Sequence, residues 1–134
     1  MSSTSYTVSI VQKGQHSDAA LEVIHLPSRQ VQLILRKDAL VVEEQATDSF
    51  STLHNLRRKL QKDGMDLFCY GSSRNVFPSA MSRAGSKAYK AFLGQQGRTK
   101  DLVDIFEKGP DIEMVSVEEQ AAFHRQWFES LGKK

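Results

Sequence analysis

The sequence predicts an α+β fold: a mostly antiparallel twisted sheet of about six to eight strands, with two main helices packed on it over about 48–63 and 117–131. Three observations carry this. Apolar and polar residues alternate with period two through most of Tyr6 to Glu43. Two later stretches show helical apolar spacing behind N-terminal capping residues. Regular strand–helix–strand alternation, the mark of a parallel sheet, is missing. At 134 residues and 40% hydrophobic content, the chain is expected to form a single domain, 1–134, around one core.

Tyr6, Val8 and Ile10 alternate with Thr7, Ser9 and Val11 in a first strand that Lys13-Gly14 ends. Leu21 to Leu26 repeats that character. Pro27-Ser28-Arg29 breaks it, and Val31, Leu33 and Leu35 then alternate with Gln30, Gln32 and Ile34, so a hairpin is expected. Lys37-Asp38 reads as a turn before a fourth short strand, Ala39 to Glu43. Asp48 or Ser49 caps a helix whose apolar stripe is Phe50, Leu53, Leu56 and Leu60. Arg57, Arg58, Lys59 and Lys62 crowd its C-terminal half, where cations complement exposed carbonyls, and Gly64 stops it.

Leu67 to Tyr70 reads as a buried strand and Lys87 to Leu93 as another, with a long loop between. Leu102 to Phe106 and Ile112 to Val115 suggest two more, separated by a turn at Gly109-Pro110-Asp111. Ser116-Val117-Glu118-Glu119 is a capping box. It opens a helix whose stripe of Phe123, Trp127 and Leu131, broadened by Phe128, is expected to face the sheet.

Charge is distributed unevenly. The net charge is only +2, yet residues 67–100 hold six basic residues and no acidic one, whereas residues 101–134 hold four basic and eight acidic ones. The six are Arg74, Arg83, Lys87, Lys90, Arg98 and Lys100, interspersed with serines. Donors without carboxylate competitors suit an anionic partner. A solvated basic face, balanced in space by the acidic residues that follow, has the same sequence pattern. Gly71 to Ser86 spans about 16 residues, longer than most connections in a compact domain, and such loops are usually functional or mobile. Arg74, Arg83, Lys87, Lys90 and Arg98, with Tyr70, Ser73 and Asn75, are therefore the expected binding residues.

Other chemistry has less support. Cys69 is the only cysteine, so no intrachain disulfide or thiolate zinc cage is expected, and a reducing cytoplasm fits best. The four histidines fall in separate elements with no His-x-x-x-His pair. Gly71-Ser72-Ser73-Arg74 lacks the spacing of a phosphate loop, and no serine occupies a G-x-S-x-G elbow. No catalytic residue, metal or cofactor is expected. No apolar run approaches the roughly 20 residues of a membrane span, and Met1 to Ser5 does not resemble a secretory signal.

Tyr70-Gly71-Ser72-Ser73-Arg74-Asn75-Val76-Phe77-Pro78-Ser79-Ala80-Met81-Ser82-Arg83, with the strand that follows, resembles a motif of small uncharacterised bacterial proteins. That resemblance implies no activity. Three functions stay open. The first is a binding module, inhibitor- or immunity-like, whose basic 71–100 segment engages an acidic partner. The second is a nucleic-acid-binding protein that stacks bases on Tyr70, Phe77 or Tyr89. The third is an enzyme acting on an anionic small molecule, with Tyr70, Ser73 or Ser79 doing proton or nucleophile work. A sheet with exposed edges also permits a homodimer through strand pairing.

Overall fold

The computed structural model describes residues 2–79 and 85–132. Among these residues lie eight strands, all paired antiparallel, and two α-helices, so the fold is α+β as the sequence predicts. The chain divides into two compact units, residues 1–68 and 69–134.

The first unit is a meander of β1 (Ser2–Gln12), β2 (Gln15–His25), β3 (Val31–Lys37) and β4 (Leu40–Ala46). Helix α1 (Ser49–Lys62) follows, and β5 (Met65–Phe68) returns beside β1, giving the order β4-β3-β2-β1-β5. Lys13 and Gly14 both adopt positive φ, 51° and 77°, as a two-residue type I′ hairpin turn requires. Register places Tyr6 beside Leu21 and Leu21 beside Leu35, with Val23 beside Leu33. Those alternate positions are the buried face. Leu53, Leu56 and Leu60 of α1 complete the core at no more than 1% exposure, each contributing roughly 1.5–3 kcal/mol by leaving water. Asp48 caps the helix, its Oδ1 accepting from the Ser51 amide at 2.8 Å.

Arg57 departs from its expected place in the solvated cationic cluster. Its side chain is fully buried, donating through Nε and Nη2 to the two Asp66 carboxylate oxygens at 2.9 and 3.0 Å. Spacing explains this: Arg57 lies four residues after Leu53 and three before Leu60, on the helix's inward side.

The second unit has a three-stranded sheet, β6 (Val76–Phe77), β7 (Lys87–Lys90) and β8 (Leu102–Asp104), and helix α2 (Val117–Gly132). Four sequence expectations change here. Strand β5 ends at Phe68, so Tyr70 opens a 3-10 turn, Tyr70–Ser72, instead of closing a strand. The stretch expected to be one loop from Gly71 contains that turn and β6. The strand expected over Lys87 to Leu93 stops at Lys90. Ile112 to Val115 forms only an isolated bridge, Ser73 with Met114, because its neighbour, residues 72–74, leaves a 3-10 turn and bonds its backbone only through Arg74 to Glu113 and Val115 to Ser72.

Helix α2 starts at its capping box, the Glu119 amide donating to Ser116 Oγ at 3.1 Å and the Ser116 amide to Glu119 Oε1 at 3.2 Å. Its deepest polar residue is Gln120, fully buried. The Gln120 amide nitrogen donates to the carbonyls of Gly71, Ser73 and Val76 at 3.0, 2.8 and 3.0 Å. The expected apolar stripe is only half covered: Phe123, Trp127 and Leu131 are intermediate and Phe128 is 69% exposed. Strands of two to four residues offer too little surface to cover a helix of 16.

Candidate functional site

The predicted binding residues all belong to the second unit, and several meet carboxylates from the acidic residues that follow them. Arg74 Nη1 lies 3.2 Å from Glu113 Oε2, with the guanidinium 5.4 Å from the centre of the Phe123 ring. Lys90 Nζ donates to Asp111 Oδ2 at 3.0 Å, and Tyr70 donates its hydroxyl to Asp111 Oδ1 at 2.6 Å. Arg98 Nε donates to Asp101 Oδ2 at 2.9 Å, and its guanidinium lies 5.9 Å from the Phe92 ring centre. Lys87 and Lys100 are exposed and make no ion pair among the described residues. Arg83 lies outside the described residues.

The polar members of the set brace the backbone. Buried Ser73 accepts the Glu113 amide on its Oγ at 3.0 Å, and Asn75 Nδ2 donates to the Ala91 carbonyl at 3.1 Å. Tyr70 is held in its protonated form. Its hydrogen bond to Asp111, then burial, then the charges of Asp111 and Glu107 push its pKa up to about 12. Asp111 is held below the usual carboxylate range by the hydrogen bonds from Tyr70 and Lys90. A phenol with that pKa is a poor base or nucleophile near neutrality. Gly109 packs directly on this ring: a Cβ there would fall 1.9 Å from the Tyr70 oxygen.

Beside this network the second unit opens a groove of about 520 Å³, in the size range of ligand sites. Helix α2 supplies one wall through His124, Trp127, Phe128 and Leu131, which share a face by their three- and four-residue spacing. Phe77 to Ser79, Tyr89 and Ala91 of the sheet region, with Gln96 and Gly97, supply the rest. The rings of Phe77 and His124 stack at 4.3 Å and 19°, and those of His124 and Trp127 at 6.0 Å and 19°. The Trp127 indole donates to the Gln95 carbonyl at 2.8 Å and the Gly94 amide donates to Ser130 Oγ at 2.8 Å, which ties residues 94–97 to the helix. Among the described residues no Asp, Glu, Lys or Arg lines the groove.

Sequence reasoning missed this groove because it treated the α2 stripe as core. The signal was Phe128, an aromatic residue beyond the width a small sheet can cover. Cys69 is fully buried, its Sγ 3.5 Å from Ser72 Oγ. Among the described residues no cluster of three or more His, Cys, Asp or Glu side chains is placed to hold a metal ion. What the arrangement offers is an aromatic surface for an apolar or planar group, with cations nearby in the chain. No protein-family model matches the chain, and no curated protein matches it.

Proposed function

We propose that the chain is a binding module, inhibitor- or immunity-like, whose second unit engages an acidic protein partner. The observation that carries this reading is the aromatic groove lined, among the described residues, without a carboxylate, in the unit that also holds the acid-free segment. An apolar side chain of the partner enters the groove, and partner carboxylates meet Lys87 and Lys100. Arg74 and Lys90 can join them, because exposed ion pairs are worth only ~0–1 kcal/mol and exchange partners at little cost. Cys69, a lone buried thiol, suits a reducing bacterial cytoplasm, where we place the protein.

Trp127, the only tryptophan, lines the groove and reports on it. Titration with tryptophan-free acidic peptides carrying one central Phe is expected to give a saturable change in its fluorescence, while basic peptides of the same length give none. Phe128→Asp, at a residue 69% exposed, is expected to weaken binding about tenfold, the effect of ~1.4 kcal/mol. A flat titration, or equal response to basic peptides, overturns the proposal.

The stacked rings of Phe77, His124 and Trp127 favour a second reading, base stacking by a single-stranded nucleic acid. Absence of a gel shift at low ionic strength would end it.

A further inference from the structure

The first unit has two sheet edges, and they are protected very differently. At the β4 edge, the Asp38-Ala39 turn makes Lys37 and Leu40 a closing pair, so Val41, Glu43 and Gln45 aim their backbone groups outward. That edge carries Glu43 and Glu44, and Lys59 Nζ already donates to the Glu43 carbonyl at 3.2 Å. Charge and an occupied carbonyl are standard defences against edge pairing. Two copies meeting there around Glu43 would also set like charges face to face.

The other edge is undefended. β5 pairs only with Ser9–Gln12, and its last partner is Phe68 opposite Ser9. The type I′ turn at Lys13-Gly14 makes Gln12 and Gln15 a hydrogen-bonded pair, so every second residue back to Ser2 bonds β2. Ser3, Ser5 and Thr7 consequently turn their amides and carbonyls away from β2, onto a stretch that β5 does not reach. All three are exposed, and no backbone hydrogen bond outside the ladder reaches them among the described residues. The strand has no proline, glycine or bulge, and no charged residue precedes Lys13.

We propose that this edge pairs antiparallel with the same edge of a second copy, about a two-fold axis at Ser5. That register alone pairs all of Ser3, Ser5 and Thr7 within the described strand and clear of β5. Centring on Thr7 would bring Ser5 of the second copy opposite Ser9, where β5 already sits, and centring on Ser3 would leave Ser5 and Thr7 without partners within the described strand. Centring on Ser5 pairs Ser5 with Ser5, Ser3 with Thr7 and Thr4 with Tyr6, and ends with Ser2 opposite Val8, one residue short of the β5 contact. These are hydroxyl and β-favouring residues with no charge opposed. The two five-stranded sheets become continuous.

Sedimentation equilibrium on the full chain over micromolar concentrations is expected to show a monomer–dimer equilibrium. Ser5→Lys, which faces two ammonium groups across the axis, is expected to raise the dissociation constant at least tenfold at low salt and less at high salt. Glu43→Lys on the opposite edge is expected to leave it unchanged. Register is read by cross-linking. Paired Ser5 Cα atoms lie about 5.5 Å apart, within disulfide reach, whereas two Thr7 residues lie about 13 Å apart along the strands. Mild oxidation should therefore link Ser5→Cys into a covalent dimer and leave Thr7→Cys monomeric, a result that stands even if Ser5→Lys folds poorly. A monomer at every concentration, loss of the dimer in Glu43→Lys, or equal cross-linking at both positions overturns the proposal.

Discussion

Replacing Gln120 with leucine is the sharpest test of how the second unit holds together. The side chain is fully buried and its two amide hydrogens serve three carbonyls, those of Gly71, Ser73 and Val76. Leucine supplies no donor. The Ser73 carbonyl retains the Val76 amide at 3.2 Å, but no other donor among the described residues reaches the Gly71 carbonyl. One orphaned buried acceptor costs about 1–3 kcal/mol and each further lost bond about 1 kcal/mol, while the more apolar leucine offsets part of this. The expected loss is ~3 kcal/mol, a drop of ~10 °C in melting temperature. Trp127 fluorescence follows the unfolding from within the same helix. Hydrogen exchange at the Arg74 and Val76 amides, which donate to Glu113 and Ser73, should accelerate together. A variant within 0.5 kcal/mol of the parent, with exchange unchanged, would refute the idea that Gln120 organises this segment.

In the first unit, Asp66→Ala removes the carboxylate that holds the buried Arg57 guanidinium and should cost about 3–5 kcal/mol by chemical denaturation; a loss below 1 kcal/mol would mean that this pair contributes little to the fold. Gly109→Ala is expected to displace the Tyr70 ring and abolish its bond to Asp111, visible as a tyrosine titrating nearer its ordinary pKa. In the parent protein, absorbance titration should show Tyr70 ionising near 12. The raised pKa means that the fold favours the protonated phenol: this stabilisation is complete below about pH 10 and is lost as pH rises through 12. Tyr70→Phe should remove that alkaline dependence, and an unchanged profile would count against the Tyr70–Asp111 bond. Asp111 contributes with the opposite sign, its stabilisation being present above the ordinary carboxylate pKa and lost as pH falls below it.

Elements whose determinants are local were legible in the sequence. Period-two alternation marks β1 and β3, Asp48 and the Ser116–Glu119 box mark helix starts, and Lys13-Gly14 marks the end of β1. Strand β6 was not legible, because Val76–Phe77 is too short for any period to register. Ile112 to Val115 carries strand character but meets only the short 72–74 segment, which only tertiary structure decides. The two buried polar residues, Arg57 and Gln120, could have been found: each occupies an inward position within its helix's apolar spacing, where a polar side chain requires a partner. Their partners, Asp66 and the carbonyls of residues 71–76, are not visible in the sequence.

The charge asymmetry of the sequence reads differently in three dimensions. Arg74 and Glu113 are 39 residues apart, and Lys90 and Asp111 are 21 apart, so a basic stretch and the acidic stretch behind it interleave within one compact unit. Segregation along the chain therefore needs no external anion to explain it. Exposed pairs of this kind add little stability, but like charges within each stretch disfavour mispairing inside it and leave the opposite stretch as the partner. Apart from Lys87 and Lys100, the surfaces that intramolecular pairing does not account for are those without charge: the groove along His124, Trp127 and Phe128 in one unit, and the Ser3–Thr7 edge in the other. In a chain with a quarter of its residues charged, uncharged patches of that extent expose aromatic rings and open backbone groups to water, and both gain most by being covered.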